Sequence, residues 1–217
     1  MASLMVRWPA GQSKTGSRSP VPAKSNAPYN VSMRFAPWLE LMVCWFAWIY
    51  PFLFRAPHFQ KRSSVTASRP SMLGILLEAM GIFIAFVFRL SPDAPLDPVR
   101  FAASAVFAVL AAALSWTAVR HLGRQFRIRA GLYEDHQLIR TGPYAFVRHP
   151  IFASLLCALL CTLLLLTPWQ WCVVSLALFL AGTEIRIRTE ERLLASRFPD
   201  EFIEYRRTVS AYLPFLR

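Results

Sequence analysis

Two polar stretches in the second half of the chain contain the side chains best suited to chemistry. The first covers residues 135–150, with the sequence DHQLIRTGPYAFVRHP, and the second covers residues 183–194, with the sequence TEIRIRTEERLL. A guanidinium can hold a carboxylate through two parallel hydrogen bonds, and a carboxylate can accept hydrogen bonds from amino or hydroxyl groups. The arginine, histidine and glutamate side chains of these stretches could therefore bind and orient a small ionic ligand.

The spacing of these residues predicts where they lie on helices. A glycine–proline pair at residues 142–143 predicts a turn, and Pro150 suits the start of a helix, where proline is tolerated. His149 is therefore expected at the boundary between water and membrane, directly before a helix. Arg186 and Glu190 lie four residues apart and share a helix face. The simpler alternatives are flanking positive charge around His149 and a solvated helix with weak ion pairs.

The composition indicates that a membrane protein carries these stretches. Of the 217 residues, 55% are hydrophobic and 17% are charged, and the mean hydropathy is +0.38. Soluble domains average about 45–50% apolar and about 25% charged residues. The 24 Lys and Arg residues exceed the 12 Asp and Glu residues, and such an excess beside apolar runs is typical of the cytoplasmic side of membrane proteins. A soluble domain and a nucleic-acid-binding protein are therefore not expected. Because no G-x-G-x-x-G motif follows a strand-like run, a Rossmann domain is not expected either.

Five transmembrane helices are expected, which gives an all-α polytopic integral membrane protein. Apolar runs at residues 35–54, 72–88 and 101–119 are each long enough to cross a hydrocarbon core of about 30 Å. Residues 150–183 carry no charge, and one helix of that length would measure about 51 Å, which is too long for a single span. Proline in the pair at residues 167–168 predicts a break, so the last two spans form a helical hairpin. A re-entrant hairpin with an even number of spans is the alternative.

Basic residues orient these spans. With the amino terminus outside, the inner segments carry 17 Lys and Arg residues and the outer segments carry 7. This bias places the loop before Pro150 and the carboxyl tail in the cytoplasm. The chain is thus expected to contain a disordered basic arm at residues 1–34, three transmembrane helices within residues 35–118, and a region at residues 119–217 that holds the hairpin and the tail. Residues 199–212 predict a short amphipathic helix in that tail.

Polar side chains inside the predicted spans have two interpretations. Glu40 and Glu78 lie within spans, where a carboxylate is costly and is usually paired or functional. Both are about one turn from a helix end, so an interfacial position is the alternative. Cys157 and Cys161 could share a helix face, but without a nearby histidine or carboxylate they do not suit a metal. All four cysteines are therefore expected to be small buried apolar residues, and no metal is expected.

Linked motifs in residues 119–217 resemble the isoprenylcysteine carboxyl methyltransferase family, which is related to membrane phospholipid methyltransferases. The motifs are H-x-L-[VI]-x-x-G-P-Y-x-x-x-R-H-P, an uncharged helical hairpin, R-x-x-x-E-E, and F-x-x-E-[FY]-x-x-Y. The first three spans match only in being spans. The resemblance implies transfer of a methyl group from S-adenosylmethionine to a lipid-linked acceptor, foremost carboxyl O-methylation of a prenylcysteine-like or other lipidic carboxylate.

The resemblance also implies which residues form the site. It implies that Arg186, Glu190 and Glu191 are catalytic, that Arg186 faces and binds the acceptor, and that Glu190 contacts the cofactor. The implied cofactor-binding residues are His136, Gln137, Leu138, Ile139, Tyr144, His149, Pro150, Ile151, Phe152 and Glu190. Three positions depart from the family pattern. Many members have tyrosine where this chain has Phe152, often an uncharged cofactor contact where it has Arg129, and glycine where it has Pro199, so no cofactor role is assigned to Arg129.

The chemistry of methyl transfer suits these residue types. Aromatic rings such as Tyr144 and Phe152 attract an alkylated cation through the ring face. A carboxylate acceptor is already ionised at neutral pH, so it needs orientation by Arg186 and no general base. An amine acceptor would need a base to remove a proton, and Glu191 would be the candidate. An arginine that faces the acceptor favours the carboxylate.

Three alternative functions stay open. They are a phospholipid N-methyltransferase, an NADPH-dependent sterol or steroid reductase, whose carboxyl-terminal half looks similar, and a scaffold that has lost its reaction. The intact set of Tyr144, residues 148–150, Arg186 and residues 190–191 favours an enzyme over a scaffold. The expected partners are a lipidic or prenylated acceptor and membrane lipids, with no nucleic acid.

Overall fold

The computed structural model describes residues 31–54, 69–91, 94–95, 97–123 and 138–212. Regular structure in these ranges is helical, which confirms the predicted all-α class. The α-helices of the described part are α1 (Val31–Phe54), α2 (Arg69–Val87), α3 (Pro98–Leu122), α4 (Pro150–Leu166), α5 (Trp169–Arg197) and α6 (Pro199–Thr208). A 3-10 turn at Gly142–Ala145 lies between α3 and α4. Because α1 begins at Val31, the last four residues of the predicted arm are helical, and the rest of that arm lies outside the described residues.

Within the described ranges, four helices are long and apolar enough to cross a membrane. These are α1, α2, α3 and α5, and α4 is a shorter apolar helix of 17 residues. At about 1.5 Å per residue, α4 measures about 25 Å, slightly less than the usual hydrocarbon thickness. The predicted break is confirmed: Thr167 ends α4 with an extended backbone, and Pro168 precedes α5. The chain is therefore an integral membrane protein with a helical hairpin at α4 and α5.

Helix α5 carries the second polar stretch beyond its uncharged part. It has 29 residues, which corresponds to a length of about 43 Å, more than one membrane crossing requires. The uncharged part ends at Thr183, and the helix continues without interruption to Arg197 before Pro199 starts α6. The side chains of residues 184–197 thus stand on a rigid extension of a transmembrane helix.

Polar side chains tie the spans together. Helix α2 packs against α5, α3 packs against α4, and α1 packs against both α3 and α4. Trp45 and Trp48 of α1 donate indole hydrogen bonds of 3.0 Å to Thr162 and Ser154 of α4. The Ser175 hydroxyl of α5 donates to the Gly81 carbonyl of α2 at 2.8 Å. Such bonds and close contacts hold helices together in lipid, where apolar burial gives little driving force between them.

Arg100 links α3 to α4 at the end of the bundle opposite the polar stretches. Asp97 accepts hydrogen bonds from the first amides of α3, and Arg100 in that first turn reaches across to α4. Its guanidinium donates to the carbonyls of Leu163 and Thr167, at 3.0 and 2.8 Å. The Leu163 carbonyl also accepts a hydrogen bond from the Thr167 amide, and a cation is favourable at a helix carboxyl end. The start of α4, with His149, therefore lies at the other end of the bundle.

Cysteine and glutamate positions follow the packing of the spans. The four cysteines are free thiols, of which Cys44 and Cys161 are buried in the contact between α1 and α4. The other two are half-buried, so the expectation that all four are buried is wrong for these two. Glu40 of α1 accepts a hydrogen bond of 2.6 Å from the Ser104 hydroxyl of α3. Because Ser104 lies near the start of α3, Glu40 lies at the same end of the bundle as Arg100.

Candidate active site

A turn that requires glycine leads into the site. Gly142 has a backbone φ of +62°, a left-handed conformation that is strained for other residues. A Cβ atom at this position would also collide with the ring of His121 at the end of α3. The predicted turn is thus confirmed as a 3-10 turn held against α3. Tyr144 in this turn is buried, and its carbonyl accepts a hydrogen bond of 2.5 Å from the hydroxyl of Tyr205 in α6.

The segment after α6 returns to pair with the residues that precede α4. The amides of Arg148 and His149 donate to the carbonyls of Ser210 and Ala211, both at 2.8 Å. The Arg148 guanidinium also donates to the Val209 carbonyl. These bonds give partners to the two backbone amides that directly precede α4. The tail therefore fixes the backbone that carries His149.

Glu191 lies at the centre of a charge cluster. Its Oε1 is 2.8 Å from Arg148 Nη2, 2.9 Å from Arg148 Nε and 3.3 Å from His149 Nε2. Its Oε2 is 3.7 Å from Nε of Arg206 in α6. Its neighbour Glu190 has an oxygen 3.8 Å from His149 Nδ1. His149 therefore lies between the two carboxylates of the predicted R-x-x-x-E-E motif.

The surroundings of Glu191 keep it ionised. This carboxyl belongs to the charged extension of α5, outside its uncharged part. Burial raises its pKa, but hydrogen bonds and charges from His149 and Arg148 outweigh burial and lower the pKa to about 2. A carboxylate with so low a pKa accepts protons weakly at neutral pH. Glu191 is thus suited to holding Arg148 and His149 in place rather than to general base catalysis.

The charge of Glu190 acts on the phenol of Tyr144. Burial, and next the negative charge of Glu190, raise the pKa of the Tyr144 phenol. The ring of Tyr144 is therefore neutral at physiological pH and lies close enough to Glu190 to sense its charge. Glu190 keeps 42% of its side chain exposed, whereas Glu191 keeps 10%. Of the two carboxylates, Glu190 is the one that a ligand can reach.

Arg186 contacts both α2 and α4. Its Nη1 is 2.5 Å from Oε2 of Glu78, and its guanidinium carbon lies 4.6 Å from the ring centre of Phe152. The Phe152 ring lies in turn 5.7 Å from the His149 ring, between centres. Phe152 therefore connects Arg186 to the cluster around Glu191. Glu78 is thus buried and paired, as expected of a carboxylate within a span.

The structure brings most of the predicted site residues to one end of the hairpin. Pro150 and Ile151 form the first turn of α4 beside His149, and Leu138 and Ile139 are half-buried just before the 3-10 turn. His136 and Gln137 lie outside the described residues. Sequence reasoning did not identify Glu78 and Arg206 as neighbours of the site. The available signal for Glu78 was a carboxylate inside a span, and Arg206 had no signal beyond its position on α6.

A half-open groove of about 760 Å³ lies between α5 and α6. On α5 it is lined by residues that include Glu184, Ile187 and Arg188, as well as Glu191. A helix turns about 100° per residue, so these positions lie on the side of α5 away from Arg186 and Glu190. The charged extension of α5 therefore has two faces. One face bears Arg186, which contacts Phe152 of α4, and the other face lines the groove. Among the described residues, no group of three or more His, Cys, Asp or Glu side chains is placed to hold a metal.

The groups that could hold an organic cofactor are the rings of Tyr144 and Phe152, the Glu190 carboxylate and the His149 ring. Aromatic faces attract alkylated cations, and a half-exposed carboxylate can accept hydrogen bonds from amino or hydroxyl groups. Arg186 adds a guanidinium that can bind an acidic group. The arrangement is thus suited to placing a cationic ligand beside an anionic one.

Comparisons with known proteins match this part of the chain. The family model described as the isoprenylcysteine carboxyl methyltransferase (ICMT) family matches residues 104–196. A protein-S-isoprenylcysteine O-methyltransferase of Saccharomyces cerevisiae is 36% identical over 83 residues, or 38% of this chain and 34% of that protein. A protein of the same name in Schizosaccharomyces pombe is 36% identical over 84 residues, or 38% of this chain and 35% of that protein.

A third relative carries a different description. A cobalt-zinc-cadmium resistance protein of Cupriavidus metallidurans is 40% identical over 86 residues, or 38% of each chain. The matches thus span about a third of the length of these curated relatives. The region that matches the family model contains both polar stretches, whose described residues lie at one end of the hairpin. Residues 104–196 of this chain are therefore similar to the isoprenylcysteine carboxyl methyltransferase family.

Proposed function

We propose that this protein is a membrane methyltransferase that uses S-adenosylmethionine to methylate the carboxylate of a prenylcysteine-like or other lipidic acceptor. The observation that carries the proposal is the position of Arg186. It lies over the Phe152 ring, at the end of the hairpin that also holds Glu190 and His149. A guanidinium for the acceptor thus lies next to groups suited to the cofactor.

The described residues fit the chemistry of S-adenosylmethionine. Tyr144 and Phe152 offer ring faces to a sulfonium cation, and the half-exposed Glu190 offers a carboxylate to its amino group or ribose hydroxyls. In this proposal the cofactor-binding residues are His136, Gln137, Leu138, Ile139, Tyr144, His149, Pro150, Ile151, Phe152 and Glu190. When bound, the cofactor supplies a methyl group whose bond to sulfur breaks as an acceptor oxygen bonds to the carbon, with the electron pair left on sulfur and no proton transferred.

The residues of the chain contribute mainly by positioning. Arg186 orients the acceptor carboxylate through its planar set of donors. Well-aligned reactants gain much of their rate from effective concentration, and a site poor in water favours a reaction in which two opposite charges disappear. Glu191 fixes Arg148 and His149 and thereby the start of α4. Its pKa of about 2 makes it a weak base, which favours a carboxylate acceptor over an amine that must lose a proton.

The orientation in the membrane forms part of the proposal. The inner segments carry 17 Lys and Arg residues against 7 outside when the carboxyl tail is in the cytoplasm. The charged extension of α5 and the whole of α6 belong to the inner side in this arrangement. We therefore place the site at the cytoplasmic face of the membrane.

Labelled S-adenosylmethionine tests the proposal. Membranes that contain the protein are incubated with the methyl-labelled cofactor and either N-acetyl-S-farnesylcysteine or phosphatidylethanolamine. Base-labile label on the farnesylated acceptor is expected, because an ester forms. Base-stable label on the phospholipid headgroup would show an N-methyltransferase instead. Thermal stabilisation by NADPH without any by S-adenosylhomocysteine would support the reductase alternative.

A further inference from the structure

A buried ion pair connects α2 to the face of α5 that carries Arg186. Arg186 Nη1 donates to Glu78 Oε2 at 2.5 Å, and the two side chains are 15% and 4% exposed. The other carboxylate oxygen of Glu78 accepts a hydrogen bond of 2.9 Å from the Thr183 hydroxyl. Both oxygens of Glu78 are therefore bound by residues of α5, about one helical turn apart.

Two glycines make room for this arrangement. A Cβ atom at Gly74 would lie 2.5 Å from Cγ of Arg186, and one at Gly182 would lie 2.5 Å from the Gly74 carbonyl oxygen and 2.8 Å from the Glu78 amide. Without side chains at these positions, α2 and α5 approach closely and leave a slot for the stem of Arg186. The close approach of the two helix backbones thus determines the path of the Arg186 side chain.

The third side of the slot is Phe152 of α4, whose ring centre lies 4.6 Å from the guanidinium carbon. The guanidinium of Arg186 is therefore held by the Glu78 carboxylate of α2 and the Phe152 ring of α4. Its aliphatic part is confined by the close contact with α2 at Gly74. An arginine side chain has high rotamer entropy when it is free, and ordering it upon ligand binding weakens the binding. The contacts with Glu78 and Phe152 order Arg186 before any ligand arrives.

We propose that Glu78 is a positioning residue for methyl transfer, which holds Arg186 in the orientation that aligns the acceptor carboxylate. The inference rests on the proposed function. Glu78 lies in α2, outside the residues 104–196 that match the family model. The second helix of the chain thereby contributes to the site through a contact that its own local sequence does not reveal.

A purely structural ion pair would have different consequences. Removing one partner of a buried pair destabilises a protein in any case, because it leaves an uncompensated charge. A structural pair changes how much folded protein exists, whereas a positioning residue changes how the folded enzyme handles its acceptor. The acceptor kinetics of folded protein, measured together with cofactor affinity, therefore separate the two roles.

The test compares Glu78→Gln with the matched control Glu40→Gln. Glu40 is also a glutamate within a span, but it bonds to Ser104 at the opposite end of the bundle. With N-acetyl-S-farnesylcysteine as acceptor, we expect Glu78→Gln to lower kcat/KM about tenfold or more, because small misplacements of a positioned group cost this much. Calorimetric affinity for S-adenosylhomocysteine should stay within about twofold, and Glu40→Gln should change neither quantity.

A double-mutant cycle with Arg186→Gln tests whether Glu78 acts through Arg186. In the Arg186→Gln background, Glu78→Gln should cause no further loss of kcat/KM, because the guanidinium that Glu78 positions is gone. Losses that multiply would overturn the proposal. If Glu78→Gln does not fold, Thr183→Val serves instead, since it keeps both charges and removes one bond of Glu78; a smaller loss in kcat/KM is then expected.

The outcomes distinguish this inference from the proposed function. A wild-type protein that methylates no acceptor rejects the proposed function, and this inference with it. Wild-type turnover combined with unchanged acceptor kinetics in Glu78→Gln, or in Thr183→Val, rejects the inference alone. Loss of cofactor affinity in Glu78→Gln equal to its loss of turnover would show a general structural role and would also reject it.

Discussion

Two adjacent glutamates of α5 have opposite surroundings. Glu190 is half-exposed and lies near Tyr144, whereas Glu191 is buried among Arg148 and His149. The difference arises because successive residues of a helix point about 100° apart. One carboxylate therefore stays accessible to a ligand while its neighbour fixes the backbone and side chains around it.

Replacing Glu190 tests its role toward the cofactor. Glu190→Gln keeps the size of the side chain and removes its charge, so the affinity for S-adenosylhomocysteine is expected to fall about tenfold or more, in line with hydrogen bonds to charged groups. Isothermal calorimetry on the purified protein measures this. Glu184→Gln, on the groove side of α5, is the matched control and should bind normally. Unchanged affinity in Glu190→Gln would remove this residue from the cofactor site.

The low pKa of Glu191 predicts how stability depends on pH. Its pKa is lowered from 4.5 to about 2 in the folded protein, so it stabilises the fold above about pH 4.5, and this contribution is lost as the pH falls from about 4.5 toward 2. The contribution is on the order of 3 kcal/mol. Unfolding of detergent-solubilised protein, followed by circular dichroism across this range, should show a steep loss of stability.

The matched variants Glu191→Gln and Glu201→Gln complete this measurement. Glu191→Gln should be less stable at neutral pH and should vary less between about pH 4.5 and 2, because the shifted carboxyl is gone. Glu201 is exposed on α6, so Glu201→Gln should follow the wild-type curve. Parallel curves for Glu191→Gln and wild type would contradict the assigned role of the cluster.

At the scale of helices, the contact between α2 and α5 depends on small residues. Gly182→Ala would place a Cβ atom against the Gly74 carbonyl, which is backbone and cannot rotate away. We expect a destabilisation of about 1–3 kcal/mol, which is typical of overpacking, and a matching decrease in the thermal midpoint. Ala181→Val adds volume on an exposed side of the same helix and should leave the midpoint nearly unchanged. An equal midpoint for both variants would contradict tight packing here.

Elements that depend on local chemistry could be predicted from the sequence. The spans follow from the length of apolar runs, and the break before Pro168 follows from the missing backbone donor of proline. Gly142 and the following proline marked the turn, and the lack of a breaker before Pro199 predicted the extension of α5. Each of these features is determined within a few residues of where it appears.

Contacts between distant segments could not be predicted in this way. The pairing of Glu78 with Arg186 joins residues on two helices, and the tail at Ser210 bonds to the backbone of Arg148. Helix periodicity gives the face on which a residue lies but not which other face it meets. The resemblance to a family grouped Arg186 with Glu190 and Glu191, yet it said nothing about α2.

For the whole molecule, the distribution of basic residues predicts a topology that labelling can test. Ser196 near the end of α5 and Ser91 after α2 lie toward opposite ends of the bundle, since the backbone at residue 90 bonds to the end of α4. A membrane-impermeant thiol reagent applied to intact cells should label Ser91→Cys and not Ser196→Cys. Permeabilised cells should allow both to react. The reverse pattern in intact cells would place the site outside.

The region that matches the family model covers only part of the helix bundle. Residues 104–196 include most of α3, all of α4 and all but the last residue of α5, whereas α1 and α2 precede this range. Helix α2 nevertheless supplies the partner of Arg186, and α1 packs on α4 through Trp45 and Trp48. Helices α1 and α2, which lie outside the matched region, thus support the site through these contacts as well as anchoring the protein.

A crystal structure with S-adenosylhomocysteine and N-acetyl-S-farnesylcysteine bound tests the placement of cofactor and acceptor most directly. We expect the amino or ribose groups of the cofactor product at Glu190, beside Tyr144 and Phe152, and the acceptor carboxylate at Arg186. Both ligands in the groove between α5 and α6, on the other side of Glu191, would contradict the account.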